Sequence, residues 1–338
     1  MAYRIGLVGT GGIARAHGRA CQQIAEAELV AICDVSTEQL ARYGEEFGVV
    51  ARSRYTELDA MLGEAELDIA IICTWGAFHA ETGIQICDSG RVRAVLCEKP
   101  FTQNAAEAAA FVAAGRKNRV LVAEAFKFRH HPMHLRAKAM LDAGEIGDLV
   151  GVRSTFCTSS GGALKERTPE SNWRFNKAQG GGSIYDLACY NIHHARFVFG
   201  EEPERVFAAQ QLGLETDDAA SIVLVFAGGR TAQISVGFNA FSSQYAEISG
   251  HRGMLRLDQV WNNENRAVAI EHRTPSGVEV VEFPPCFQFA LQLQHLCECL
   301  AEGREHRIAP EHSVAQMRVL DAVKESMETG RAVELAHS

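Results

Sequence analysis

No apolar run in this 338-residue chain reaches the roughly 20 residues that a membrane-spanning helix requires, which sets aside a helical membrane protein. The N-terminus enters a glycine-rich motif at once, without a basic-then-apolar leader, so no export signal is expected. Basic charge is also short. Lys and Arg number 33 against 42 Asp and Glu, and the formal net charge of −9 argues against nucleic acid or an anionic membrane as the main partner. Cysteine is plentiful, at ten residues, but it is not arranged as a disulfide framework. Cys33, Cys73, Cys97, Cys157 and Cys189 fall within apparent strands and helices and read as buried thiols of a reducing, cytoplasmic protein. Cys297 and Cys299 lie two apart on a probable helix and do not share a face, so no metal or redox pair is expected there.

What is present is globular. Hydrophobic residues make up 47% and charged residues 22%, and the length exceeds one ordinary core, so two domains are expected. The expected division is 1–122 and 123–338. Arg4-Ile5-Gly6-Leu7-Val8 is a short apolar strand running into Gly9-Thr10-Gly11-Gly12-Ile13-Ala14 and then a helix. This fits G-x-G-x-x-G/A: Gly9 makes the tight turn, Gly11 admits a pyrophosphate close to backbone, and Ala14 packs helix on strand. The helix N-terminus adds N–H donors and a dipole that favours phosphate. A second strand, Leu29 to Cys33, ends in Asp34, placed to bond the ribose hydroxyls of NAD and to repel the extra phosphate of NADP. NAD is therefore the expected cofactor, with NADP possible. Strands Asp68 to Cys73, Arg93 to Cys97 and Val120 to Phe126 alternate with helical runs, which predicts a parallel sheet.

The ends of those strands carry the candidates for chemistry. The third ends in Thr74-Trp75-Gly76-Ala77-Phe78-His79, at the edge where open α/β sheets place ligands. There Trp75 either stacks on a cofactor ring or closes the core, and His79 either caps the next helix or reaches the cofactor. The fourth ends in Glu98-Lys99-Pro100, because proline cannot extend a central strand. A half-buried lysine there is either a structural ion pair or a group tuned for proton transfer. After the fifth, Arg129 is a candidate for a polar substrate or cofactor contact. His130, His131 and His134 lack a completing Glu or Cys at metal-ligand spacing, so no metal is expected.

The second half reads as a mostly antiparallel sheet: Leu149 to Cys157, Arg205 to Leu212, Ala219 to Phe226, Thr231 to Phe238, Tyr245 to Ser249, Leu255 to Asp258 and Val278 to Phe283. One face is expected to be covered by helices and the other to suit a two-fold contact between copies, as a homodimer or homotetramer. Segments Phe287 to Ala301 and Ser313 to Glu328 read as packing helices. Within this half, Trp173-Arg174 precedes Gly180-Gly181-Gly182-Ser183 and a helix bearing Asp186, Tyr190 and His193 at i, i+4 and i+7. A carboxylate, a phenol and an imidazole on one stripe suit proton handling. The plainer alternative is a capped helix whose polar face is turned to water.

In this order and spacing the motifs resemble the Gfo/Idh/MocA oxidoreductases over nearly the whole chain: the Gly9–Ala14 loop, Glu98-Lys99-Pro100, and Trp173-Arg174 followed by Gly180 to Asp186. The resemblance implies an N-terminal Rossmann sheet, a C-terminal domain with a large open sheet, Lys99 in the catalytic set and a cis bond before Pro100. It further implies that Asp186 orients the substrate. Tyr190 stands where many members carry histidine, as in the glucose–fructose oxidoreductase, xylose dehydrogenase and dihydrodiol dehydrogenase branches, and Glu124-Ala125-Phe126 is similar to the xylose type. The chain departs from the family's T-P-N turn at Thr74-Trp75-Gly76. The expected activity is hydride transfer between a sugar, cyclitol or polyol hydroxyl and NAD(P). Lys99, Asp186 and Tyr190 are the expected catalytic set; the order of proton transfer between Lys99 and Tyr190 stays open. Gly9, Thr10, Gly11, Gly12, Ile13, Ala14, Asp34, Thr74, Trp75, His79, Glu98 and Lys99 are expected at the cofactor. Lys99, Arg129, Trp173, Arg174, Asp186, Tyr190 and His193 are expected at the substrate. The alternatives are a non-catalytic NAD-binding sensor or co-repressor and a redox-assisted glycosidase.

Overall fold

The computed structural model describes residues 2–159 and 167–335. The chain opens with strand β1 (Tyr3–Val8), helix α1 (Ala14–Gln23), β2 (Ala27–Cys33), α2 (Thr37–Phe47), β3 (Arg54–Tyr55), α3 (Leu58–Glu64), β4 (Ile69–Ile72), α4 (His79–Asp88), β5 (Ala94–Cys97), α5 (Ala105–Asn118) and β6 (Leu121–Glu124). The six strands form a parallel sheet in the order β3-β2-β1-β4-β5-β6. The order reverses beside β1, and at such a switch point the loops after neighbouring strands part to leave a crevice. β4 and β5 are buried throughout, because helices cover both faces of a parallel sheet.

Next come α6 (Pro132–Asp142), β7 (Leu149–Cys157), α7 (Cys189–Phe199), β8 (Arg205–Leu212), β9 (Asp217–Val225), β10 (Thr231–Gly237), β11 (Ser243–Gly250), β12 (Met254–Asp258), β13 (Val268–Thr274), β14 (Gly277–Phe283), α8 (Gln288–Glu302), α9 (Pro310–Thr329) and β15 (Val333–Glu334). The last nine strands form one sheet, β14-β13-β12-β11-β7-β10-β9-β8-β15. Its pairs are antiparallel except β7 with β10. Alternation is clear on β7, where Val152, Ser154 and Phe156 are buried while Arg153 is exposed. Two strands go beyond the sequence reading. β13 hides its alternation because His272 occupies an inward position, and β15 is only two residues long.

The chain divides into two compact units, Met1–His130 with Phe287–Val314, and His131–Cys286 with Ala315–Ser338. This differs from a simple cut at residue 122. The difference has a packing cause: Phe289, Leu293, Leu296 and Cys297 of α8 share one buried cluster with Ile5, Leu7, Ala20 and Cys21. The apolar stripe of α8 thus completes the core against α1 rather than closing the second sheet.

Candidate active site

In the first unit the carboxyl edge of the sheet is shaped by backbone. Gly9 has φ of +88°, and a Cβ there would come within 2.8 Å of the Cys73–Thr74 peptide, so the close approach of loop to β4 admits glycine alone. Around Gly11 and Gly12 a Cβ would meet nothing within 4 Å. α1 begins at this open space without a side-chain cap, leaving its first N–H groups for a ligand. Asp34 closes the edge. Its Oδ2 accepts from the Thr10 amide (2.7 Å) and hydroxyl (2.9 Å), and its Oδ1 from the Ser36 amide (2.9 Å). A carboxylate has about four acceptor positions, so one remains for a ribose hydroxyl. Thr74 Oγ1 is buried without a partner at the same edge. A dinucleotide fits these residues.

Trp75 and Phe78 are both close to half exposed, so Trp75 does not close the core. His79 is buried, with Nδ1 2.9 Å from the Pro100 carbonyl and Nε2 3.1 Å from that of Thr74. A neutral ring donates to only one of them, and burial lowers its pKa against the pull of both carbonyls. The ring therefore braces the ends of β4 and β5. Lys99 is half-buried and the Lys99–Pro100 bond is cis, as the family resemblance implies. Glu98 is 5% exposed; its Oε1 lies 2.7 Å from His17 Nε2 and its Oε2 accepts from the Lys99 amide at 3.2 Å. Burial pushes the Glu98 carboxyl up. The His17 hydrogen bond and the nearby Lys99 charge help to outweigh it and leave the pKa below the usual glutamate value. Glu124 is buried and accepts from the Phe101 amide at 3.1 Å.

The second unit builds its candidates from side chains. Arg174 Nε donates to Asp186 Oδ2 at 2.7 Å, and the guanidinium lies 4.9 Å from the centre of the Trp173 ring. The glycines explain how these segments meet. A Cβ on Gly181 would reach the Trp173 and Arg174 carbonyls at 2.5 Å, and one on Gly182 would reach Asp217 Oδ1 at 2.4 Å. Asp217 accepts from the Ser183 hydroxyl and from the Ile184 amide at 3.0 Å, so a carboxylate from β9 seats the start of the helix. Burial raises the pKa of Asp217 to about 6.

That helix does not begin as a regular α-helix. Ile184–Ala188 is a π turn, with the Cys189 amide reaching the Ile184 carbonyl, and only then does α7 follow. Such turns recur at functional sites because they re-aim side chains within a helix. Asp186 and Tyr190 are each 6% exposed and His193 2%, so the stripe faces inward and not to water. Tyr190 packs edge-on against Phe156 (5.7 Å) and beside Trp261 (5.9 Å). The sequence reading did not single out Trp261, which lies just beyond β12 and is fully buried; nothing in its surroundings along the chain marks it.

Arg129 is buried in a helical turn, Lys127–His130, of the first unit. His131 accepts from the Met133 amide as the N-cap of α6, and His134 Nε2 lies 2.9 Å from the Val260 carbonyl. His130 Nδ1 accepts from Arg307 at 2.9 Å. Among the described residues no cluster of His, Cys, Asp or Glu is arranged to hold a metal ion.

Comparison with known proteins supplies the family. Residues 3–126 match the oxidoreductase family with an NAD-binding Rossmann fold, and residues 134–256 match the GFO/IDH/MocA C-terminal domain. A D-xylose 1-dehydrogenase (NADP(+)) from Haloferax volcanii is 31% identical over 98% of this chain and 99% of its own. The chain belongs to the Gfo/Idh/MocA oxidoreductase family. Its first unit is thus an NAD(P)-binding Rossmann domain and the protein an NAD(P)-dependent oxidoreductase. A D-apiose dehydrogenase from Paraburkholderia graminis is 27% identical over 98% of this chain and 90% of its own. Among solved structures, the aldose–aldose oxidoreductase of Caulobacter crescentus superposes with a TM-score of 0.89 at 25% identity, covering 99% of this chain and 100% of that one.

Proposed function

We propose that this oxidoreductase oxidises a secondary alcohol or hemiacetal hydroxyl of a sugar, cyclitol or related polyol. The observation that carries the reading is the ion pair of half-buried Arg174 with buried Asp186, four residues before buried Tyr190, in a chain that also keeps Lys99 at the end of β5. Bound NAD(P) supplies a two-electron hydride acceptor. In the substrate one C–H bond and one O–H bond break as C=O forms, so a proton must leave as the hydride departs. Lys99 and Tyr190 are the groups that take or relay that proton, and Asp186, held by Arg174, keeps the hydroxyl in line. His193, Trp173 and Arg129 complete the proposed substrate contacts. Asp34 favours NAD by meeting ribose hydroxyls; the NADP-dependence in the Haloferax volcanii relative's name makes NADP the comparison to run.

The reading includes a cytoplasmic, homo-oligomeric protein. All ten cysteines are free, eight of them buried, as suits a reducing compartment. The less buried face of the nine-stranded sheet, with Val223, Val225 and Tyr245 half-buried, suits a two-fold contact giving a dimer or tetramer. A screen of aldoses, inositols and sugar acids with NAD and with NADP, read by absorbance of the reduced nicotinamide, tests the activity. Turnover with at least one polyol is expected. Binding of NAD without turnover on any compound points to a sensor, and release of an aglycone without net NADH to a glycosidase.

A further inference from the structure

The family motif explains Lys99 but leaves the buried pair beside it without a duty. His17 lies on α1, the helix that starts at the nucleotide loop, and is fully buried. Its Nε2 is 2.7 Å from Glu98 Oε1, while its Nδ1 is buried with no partner. The ring also packs edge-on against Phe289, ring centres 5.2 Å apart at 83°. Among the described residues the ring thus makes one polar contact, and that contact is Glu98. The second oxygen of Glu98 takes the Lys99 amide. Burying a carboxylate is costly unless it is bonded, and apolar residues at 17 and 98 would pack the same space without that cost. The pair links α1, the helix that starts at the nucleotide loop, to the peptide that carries Lys99.

We propose that His17 and Glu98 form a positioning dyad, which holds the Lys99 backbone in register with α1 so that the amine meets the substrate hydroxyl as the hydride leaves. This rests on Lys99 being in the catalytic set. Neither residue touches the reacting atoms in this proposal; they act through Lys99. A misplacement of the order of 1 Å costs roughly 100-fold in rate, so loss of the dyad should lower kcat by roughly 10- to 100-fold.

The test compares Glu98→Gln, His17→Ala, His17→Gln and Lys99→Ala with the parent protein, using NAD and whichever polyol turns over fastest in the screen. Glu98→Gln and His17→Ala are expected to lower kcat by a larger factor than they raise the dissociation constant of NAD, read from quenching of tryptophan fluorescence. His17→Gln keeps an N–H for Glu98 and is expected to restore most of the loss. With substrate deuterated at the reacting carbon, the isotope effect on kcat is expected to rise in Glu98→Gln, because hydride transfer becomes the slow step. Mere loss of folded protein lowers kcat and leaves the isotope effect unchanged. A dead Lys99→Ala beside near-normal Glu98→Gln and His17→Ala overturns the dyad alone; an active Lys99→Ala overturns the parent reading and the dyad with it.

Discussion

In the first unit the candidate residues are held by backbone, and in the second they are held by one another. Gly9, the uncapped start of α1 and the ends of β4 and β5 make a cofactor edge shaped first by backbone, with the Asp34 and His79 side chains bonded to that backbone. By contrast, Asp186 stands where it does because Arg174 bonds it, because Gly181 and Gly182 let two loops touch, and because Asp217 seats Ser183 and Ile184. A nucleotide's phosphates are the same for every member of such a family, so a backbone cradle serves. A polyol is recognised hydroxyl by hydroxyl, which asks for side chains that vary.

This contrast can be broken at either end. On cofactor binding and stability the largest effect is expected for Gly9→Ala. An L-residue at that φ costs about 1–3 kcal/mol before its clash with β4. NAD binding should weaken by about tenfold or more and the melting temperature fall, both measurable on the purified protein. Arg174→Ala should spare NAD binding and lower kcat by roughly 10- to 100-fold, because Asp186 loses the donor that orients it. Steady-state kinetics beside fluorescence titration with NAD separates the two outcomes. If Arg174→Ala instead weakened NAD and left kcat alone, the assignment of the stripe to the substrate would fail.

Buried groups of the molecule should also respond to pH with opposite signs. Burial lowers the pKa of His295 to about 4 and of His306 to about 3, and holds His130 well below 6.5; the three rings lie about 5 Å apart. Each unfolded histidine takes a proton near pH 6.5 and the folded one does not. The contribution of these three rings is therefore full above pH 6.5 and falls below it, by up to about 1.4 kcal/mol per pH unit for each ring. Asp217 runs the other way. Its folded pKa of about 6 exceeds the ordinary 3.8, so its contribution is present at low pH and is lost as pH rises between those values. Asp217→Asn should flatten that limb, and His306→Leu should soften the acid limb by one ring's share. Urea midpoints against pH check both, the second being the smallest effect predicted here.

Much of this was legible in the residues. Glycine spacing exposed the cofactor loop because backbone geometry there demands glycine, and alternating apolar runs gave five strands of the first sheet. Asp186 and Tyr190 were visible as residue types at helical spacing, but the π turn was not, since it is made by Asp217 and the glycines acting from outside the helix. The place of α8 was hidden because an apolar stripe does not say which core it joins. The His17–Glu98 contact was hidden for a like reason: the partners are 81 positions apart, beyond any periodicity.

The central claim is that Lys99 serves the chemistry while the backbone cradle serves the cofactor. It is tested most directly by Lys99→Ala, assayed for turnover of the best polyol and for NAD affinity in the same preparation. The account predicts turnover reduced by roughly 100- to 10,000-fold with NAD affinity retained. Near-normal turnover, or loss of NAD binding equal to the loss of rate, would contradict it.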